Sequence, residues 1–180
     1  AKITRFYGAA ETSFITLADD AAPAQSVGRA FPGAEIEIRD QQGNPAQSGL
    51  VWVRSPMLFH SYASGSAAHT QWRGDWLTVG EIGHFDPIGN LFLTGRIDRI
   101  VSVADTSVSL DDIESDLVQS GGESAAVIAL PDPLRGHILY GFTTRKTSKH
   151  AALKSQRVLT DLPILPSGKT DYPTLRKLLL

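Results

Sequence analysis

The sequence contains no cysteine and only one methionine. The missing thiols exclude disulfide scaffolds, Cys-ligated zinc and thiol catalysis from this stretch of chain. No apolar run approaches the ~18 residues of a membrane span. Neither sign of charge dominates, with 17 basic against 19 acidic residues and a net charge of -2, while 42% of the 180 residues are hydrophobic. That balance argues against a disordered chain and leaves enough apolar material for one domain or two small ones. The chain opens on Ala1-Lys2 rather than Met and runs straight into a strand-like stretch, which reads as a piece of something longer.

The near-neutral total conceals an asymmetry. Residues 144–180 hold eight basic side chains against Asp161 and Asp171, a surplus of +6 that leaves -8 on the rest. A basic tail on an acidic body points to an anion such as a phosphate-bearing ligand, or simply to a solvated basic face. No aromatic residues interleave with the basic ones, so nucleic acid is not the expected partner.

Along the chain, Lys2–Tyr7 reads as a short strand turning at Gly8, and residues 17–27 as a loop. Ala34–Arg39 alternates strictly, Gln42–Pro45 is a turn, and Gly49–Arg54 is a second strand, which together predict an antiparallel hairpin. Trp76–Val79 and Leu91–Thr94 add strands around a turn at Pro87–Asn90. After Gly95 the character changes. Arg99–Val103 is β-like, and Ser109 caps a helix over Leu110–Gln119 with acidic residues in its first turn. Ile113, Leu117 and Val118 form its apolar stripe, and Gly121-Gly122 ends it. Ala125–Leu130, His137–Thr144 and Gln156–Leu162 read as strands, and Pro173–Leu180 as a closing helix. The expected fold class is mixed α/β (α+β), a small β-barrel-like subdomain followed by a small α+β lid. No internal repeat is visible.

Four short stretches carry chemistry. Tyr7-Gly8-Ala9-Ala10-Glu11-Thr12 offers an aromatic to stack, a close backbone approach and a carboxylate for Mg²⁺, although a strand and its turn explain it as well. In Gly74–Gly83 a carboxylate framed by glycines can accept hydrogen bonds from ribose hydroxyls, or the stretch is a plain hairpin loop. Gly95-Arg96-Ile97-Asp98-Arg99 combines a phosphate- or ribose-clamping Arg with a hinge or cap at Asp98, and linker polarity accounts for it nearly as well. Pro166-Ser167-Gly168-Lys169-Thr170 can carry an ammonium into a neighbouring site. It is not a phosphate-cradling Walker loop, since Leu162 and Pro163 stand where its first glycine belongs. The five histidines (His60, His69, His84, His137, His150) show no ligand spacing, and the three tryptophans read as packing.

In order and spacing together these stretches resemble the adenylate-forming superfamily of acyl- and aryl-CoA synthetases, luciferases and peptide-synthetase adenylation domains. Tyr7–Glu11 is similar to its Tyr-Gly-x-Thr-Glu, Gly28–Ile38 to Gly-x-x-x-Pro-Gly-x-x-x-x-Ile, and Gly49–Tyr62 to Gly-x-Val-x-Val-Arg-x-Pro…Gly-Tyr, with Ser61 for the usual glycine. Trp76–Glu81 resembles Trp-x-x-Thr-Gly-Asp, Gly95–Asp98 resembles Gly-Arg-x-Asp, and Ser167–Lys169 the terminal Ser-Gly-Lys. The resemblance covers nearly the whole chain.

It implies an ATP-dependent, AMP-forming ligase that joins a small-molecule carboxylate to a thiol, either coenzyme A or a phosphopantetheinyl carrier protein, through an acyl-adenylate. Tyr7 and Gly8 would lie by the adenine, Glu81 and Arg96 would hold the ribose, and Glu11 would help bind Mg²⁺. Lys169 would be the catalytic cation of adenylation, and Asp98 the hinge. Residues 1–26 would end a large N-terminal domain, 27–97 would be the β subdomain and 98–180 the mobile lid. The resemblance further implies a cytoplasmic protein without a membrane span, whose phosphate-gripping loop and acyl pocket lie in a missing N-terminal part. The 180 residues alone are then expected not to adenylate. Several positions depart from the family: Ala10 replaces Thr, Val79 and Glu81 replace the Thr and Asp of Thr-Gly-Asp, and Ser102 and Asp105 replace a Lys and a Gly. These departures keep a second reading open, a degenerate homologue that binds nucleotide or acyl group for regulation or scaffolding.

Overall fold

A computed structural model of the chain describes residues 4–65, 67 and 69–179. The chain divides into two compact units, Ala1–Asp98 and Arg99–Leu180. Lys2 and Ile3 of the first expected strand, and Leu180 of the last helix, lie outside the described residues.

The first unit is all strand and turn. β1 (Arg5–Ala9), β2 (Ser13–Ala18) and β3 (Arg29–Ala30) form one antiparallel sheet. β4 (Glu35–Arg39), β5 (Ser48–Arg54), β6 (Gln71–Arg73), β7 (Trp76–Thr78), β8 (Glu81–Phe85) and β9 (Leu91–Arg96) form a second. β5 organises this sheet: β4 runs along one edge, while β8 and then β7 share the other. Among the described residues the strand path ends at β6 and β9, so the sheet is open and the barrel-like expectation does not extend to closure. Strand β2 replaces the start of the expected loop at residue 17, and β6 and β8 were not legible, β8 because Gly83 and His84 interrupt its apolar pattern.

Alternation on β4 and β5 turns Ile38, Val51 and Val53 into one core with Ile15 and Leu91. Trp52 points the other way yet is buried, with the guanidinium carbons of Arg39 and Arg73 5.1 and 5.4 Å from its ring centre. Cations therefore cover that face of the Trp52 ring. Two hairpin loops share one construction, Asp-x-x-Gly-Asn. Asp40 accepts the backbone N–H and side-chain amide of Asn44, and Asp86 does the same for Asn90. Those hydrogen bonds hold both carboxyls below the usual range.

The second unit wraps a five-stranded sheet with two helices. β10 (Ile100–Val103) and β11 (Thr106–Ser109) form a hairpin, β12 (Ala125–Asp132) and β13 (Gly136–Thr143) another, and β14 (Leu153–Val158) adds to β13 in parallel. Helix α1 (Leu110–Gln119) starts where the Ser109 hydroxyl accepts the N–H of Asp112, and α2 is Tyr172–Lys177. The apolar run of β12 is buried on both faces. Val127 and Ala129 pack with Leu110, Ile113 and Leu117 of α1, and Ala126 and Ile128 with Leu175 of α2. Period-2 alternation thus separates two cores on one strand. Val118 is 42% exposed and leaves the expected apolar stripe, which Leu110 completes instead. Among the described residues, no helix is long and apolar enough to cross a membrane.

Candidate functional site

Four of the residues singled out in the first unit belong to one connected group. Strands β8 and β9 pair antiparallel with Glu81 opposite Arg96, and Arg96 Nη1 donates to Glu81 Oε1 at 2.8 Å. Arg96 Nε also donates to Asp98 Oδ1 at 3.2 Å, and Nη2 to the Val79 carbonyl at 3.4 Å. The carboxylate is the sheltered member, 17% exposed against 43% for the guanidinium. Tyr7 stands within electrostatic reach of this pair. Burial pushes its phenol well above the usual range, the Glu81 charge adds to that, and Arg96 opposes it. The Tyr7 ring packs against the first unit's core, and its hydroxyl is buried without a hydrogen-bond partner among the described residues.

Gly8 has a local reason to be glycine. The β1–β2 pairing shifts register between Tyr7 and Gly8, and a Cβ on Gly8 would stand 1.9 Å from the Ser13 carbonyl oxygen. The turn that follows is closed by Thr12, whose N–H donates to the Ala9 carbonyl at 3.1 Å and whose hydroxyl accepts the Ala9 N–H at 3.0 Å. Thr12 is fully buried, so its hydroxyl does not replace the one missing at the exposed Ala10.

Glu11 accepts the Tyr62 hydroxyl at 2.6 Å, and the Tyr62 hydroxyl also lies 2.9 Å from Thr70 Oγ1. The hydrogen bond to Glu11 raises the Tyr62 phenol above its ordinary value, against the pull of Thr70. The neighbouring His69 packs so closely on Gly80 that a Cβ on that glycine would lie 2.8 Å from the His69 Cβ. Residues 69–70 therefore join the Glu11–Tyr62 pair to the strand start that carries Glu81. Nothing in the sequence flagged Thr70 or His69, because their part in the site is contact across loops.

The chemistry of the donor set decides which ligands suit it. Among the described residues no group of three or more His, Asp or Glu side chains could hold a metal. One carboxylate, Glu11, fits a Mg²⁺ whose other ligands are phosphate and water. Glu81 and Arg96 together offer an acceptor for hydroxyls and a forked donor for oxyanions, which suits a ribose phosphate.

Lys169 belongs to the second unit. Ile164 bridges to Thr170, and Leu165 accepts the N–H of Gly168 at 2.8 Å while donating its own to the Lys169 carbonyl at 2.7 Å. Gly168 takes a φ of +82°, which L residues rarely adopt and which this tight hairpin requires. Lys169 is exposed and its ammonium has no hydrogen-bond or ion-pair partner among the described residues.

Known proteins resemble this chain in sequence and in fold. Residues 1–63 match the family described as AMP-binding enzyme. An uncharacterized acyl-CoA ligase of Bacillus subtilis is 30% identical over 98% of this chain and 40% of its own length. The 2-succinylbenzoate–CoA ligase of Lactococcus lactis is 33% identical over 80% of the chain and 34% of its own. The solved structure of the amide bond synthetase McbA from Marinactinospora thermotolerans superimposes with a TM-score of 0.80 at 28% identity, covering 98% of this chain and 42% of that one. The chain thus spans about two-fifths or less of the length of these relatives. By sequence match, by fold and by the order of its motifs, it belongs to the adenylate-forming superfamily.

Proposed function

We propose that the protein containing this chain is an ATP-dependent, AMP-forming acid–thiol ligase. A carboxylate oxygen attacks the α-phosphorus of ATP, the bond to the β-phosphate oxygen breaks, and acyl-adenylate and pyrophosphate result. A thiol sulfur then attacks the acyl carbon, loses its proton to solvent or base, and AMP departs. The single observation that carries this reading is the cross-strand pairing of Glu81 with Arg96, whose guanidinium also binds Asp98 two residues on.

In this reading Glu81 accepts hydrogen bonds from the ribose hydroxyls and Arg96 exchanges its carboxylate partners for ligand oxygens. Tyr7 lies beside the adenine on a turn shaped by Gly8. Glu11 holds Mg²⁺, which when bound neutralises phosphate charge. Lys169, without a hydrogen-bond or ion-pair partner among the described residues, meets the charge that develops during adenylation. Asp98, at the end of the first unit, is the hinge about which a mobile second unit delivers or withdraws Lys169. Coenzyme A or a phosphopantetheinyl carrier protein is the acceptor. The names of the relatives support coenzyme A, and that of McbA makes an amine the alternative to test.

The test is carboxylate-dependent exchange of labelled pyrophosphate into ATP by the whole protein, across aliphatic and aryl acids, followed by thiol and amine acceptors. Exchange that falls roughly 10- to 100-fold with Arg96→Ala supports the reading. A second reading, nucleotide binding without turnover, draws on Ala10 and the inward-turned Thr12. It requires tight ATP binding with no exchange for any acid.

A further inference from the structure

Arg99 is the first residue of the second unit, and its side chain is only 15% exposed. Its Nε donates to Asp111 Oδ1 at 2.7 Å, Nη1 to the Val127 carbonyl at 3.3 Å, and Nη2 to Glu114. The guanidinium carbon also lies 4.4 Å from the centre of the Tyr172 ring. Glu114, 17% exposed, is satisfied from three sides. Besides Arg99 it accepts the Val127 N–H at 2.6 Å and the Tyr172 hydroxyl, which is 3.2 Å from both carboxylate oxygens. Burial pushes the Glu114 carboxyl above the usual range, against the pull of Arg99 and the Val127 N–H. Burial also works against the Arg99 charge, but Asp111 and Glu114 outweigh it.

A packed apolar contact of this size would stabilise the unit as well or better, so stability alone does not account for buried charges here. Directed hydrogen bonds fix one geometry, and these four segments converge on what that geometry holds. Tyr172 is three residues beyond Lys169. Between them Asp171 caps α2 through the Thr174 N–H and donates its own N–H to the Pro163 carbonyl, closing the base of the Lys169 hairpin. α2 has six residues, and it is further held by buried Leu175, by the Tyr172 ring packed in the same core, and by bonds from Arg176 to the Ala129 carbonyl and from Arg157 to the Leu178 carbonyl. Of these polar ties, the network is the one nearest to Lys169 along the chain.

We propose that Arg99, Glu114 and Tyr172 are positioning residues that fasten the Lys169 hairpin to the start of the second unit, so that a turn at Asp98 carries Lys169 as one rigid piece. This rests on the roles proposed above for Lys169 and Asp98, and its test separates the two. The 180-residue chain has no cysteine, so Ser167→Cys accepts a single nitroxide label at the hairpin tip. Tyr172→Phe keeps the ring over Arg99 and removes only the hydroxyl, and Arg99→Lys keeps the charge but loses the fork. Both are expected to increase the fast-moving fraction of the label, with circular dichroism verifying the fold. In the whole protein Tyr172→Phe is expected to lower kcat of ATP–pyrophosphate exchange about tenfold with KM for ATP within about twofold, the signature of lost positioning rather than lost binding. An unchanged label spectrum overturns the proposal. So does a loosened hairpin in an enzyme whose kcat is unaltered. If the unaltered whole protein shows no exchange with any acid, the ligase reading fails, and the label spectrum alone decides whether the network holds the hairpin.

Discussion

Glu81 and Arg96 are cross-strand partners, 15 residues apart in sequence and 2.8 Å apart in space, because the Asp86–Asn90 turn folds β9 back on β8 and a register shift between Ile82 and Gly83 brings Arg96, rather than Gly95, opposite Glu81. Two motifs that look independent along the chain are therefore one device. An ion pair with one member this exposed contributes on the order of 0–1 kcal/mol. Under the proposed function, a ribose hydroxyl or phosphate oxygen displaces it at little cost.

Replacing Arg96 by Ala removes charge-assisted hydrogen bonds worth about 1.5–3 kcal/mol each to a bound oxyanion. Exchange activity of the whole protein, measured as kcat/KM for ATP, is then expected to fall roughly 10- to 100-fold. The melting temperature should move little, since the pair is peripheral to the core. A variant that melts much earlier would mean that Arg96 is structural.

Lys169→Ala gives a cleaner separation. The side chain is exposed and makes no hydrogen bond or ion pair among the described residues, so the variant should melt with the parent chain. Loss of a charge-stabilising donor at a reacting phosphate costs on the order of 10²–10³ in kcat. Adenylation should fall by that much while ATP binding, followed by calorimetry, is nearly retained. An unchanged adenylation rate would remove Lys169 from the mechanism.

The strands that alternate cleanly, β4 and β5, and the capped helix α1 were readable because local chemistry specified them. β6, β8 and β11 were not, because each is short and draws its support from a neighbouring strand rather than from its own pattern. The site shows the same division. Tyr7, Glu11, Glu81, Arg96 and Lys169 stood out through motif order, and Tyr62 through the end of the Gly49–Tyr62 stretch, but its hydrogen bond to Glu11 across 51 residues, and Thr70 beside its hydroxyl, left no sequence signal. The Arg99–Glu114–Tyr172 network was equally hidden. Its members look like linker polarity, a helix face and a helix start until the fold places them on one another.

Ala104 and Asp105 form the two-residue turn between β10 and β11, with φ of 48° and 63°. Both angles lie in the left-handed region, as a type I′ hairpin turn demands. Ala104→Gly should stabilise the second unit by about 1 kcal/mol, since a left-handed Ala costs roughly 1–2 kcal/mol. Asp105→Gly should gain less, because Asp tolerates the conformation. Urea unfolding of the two variants against the parent chain measures both gains.

Tyr172 makes the network's contribution visible at alkaline pH. Its burial, and then the Glu114 charge, push the phenol to about 12, and Arg99 opposes them. In the unfolded chain a tyrosine ionises near 10. Between these values the folded state holds a proton that the unfolded state has released, so stability is complete below about pH 10 and declines as pH rises toward about 12. Tyr7 and Tyr62 are shifted the same way and add to the decline. Tyr172→Phe has no proton to hold, so the drop in urea midpoint between pH 9.5 and pH 11.5 should be visibly smaller than in the parent chain. The variant's 295 nm titration should also lose the phenolate that appears near pH 12. An identical pH slope in the two proteins would mean that the Tyr172 hydroxyl is in water rather than on Glu114, and would break the network at its link to the Lys169 hairpin.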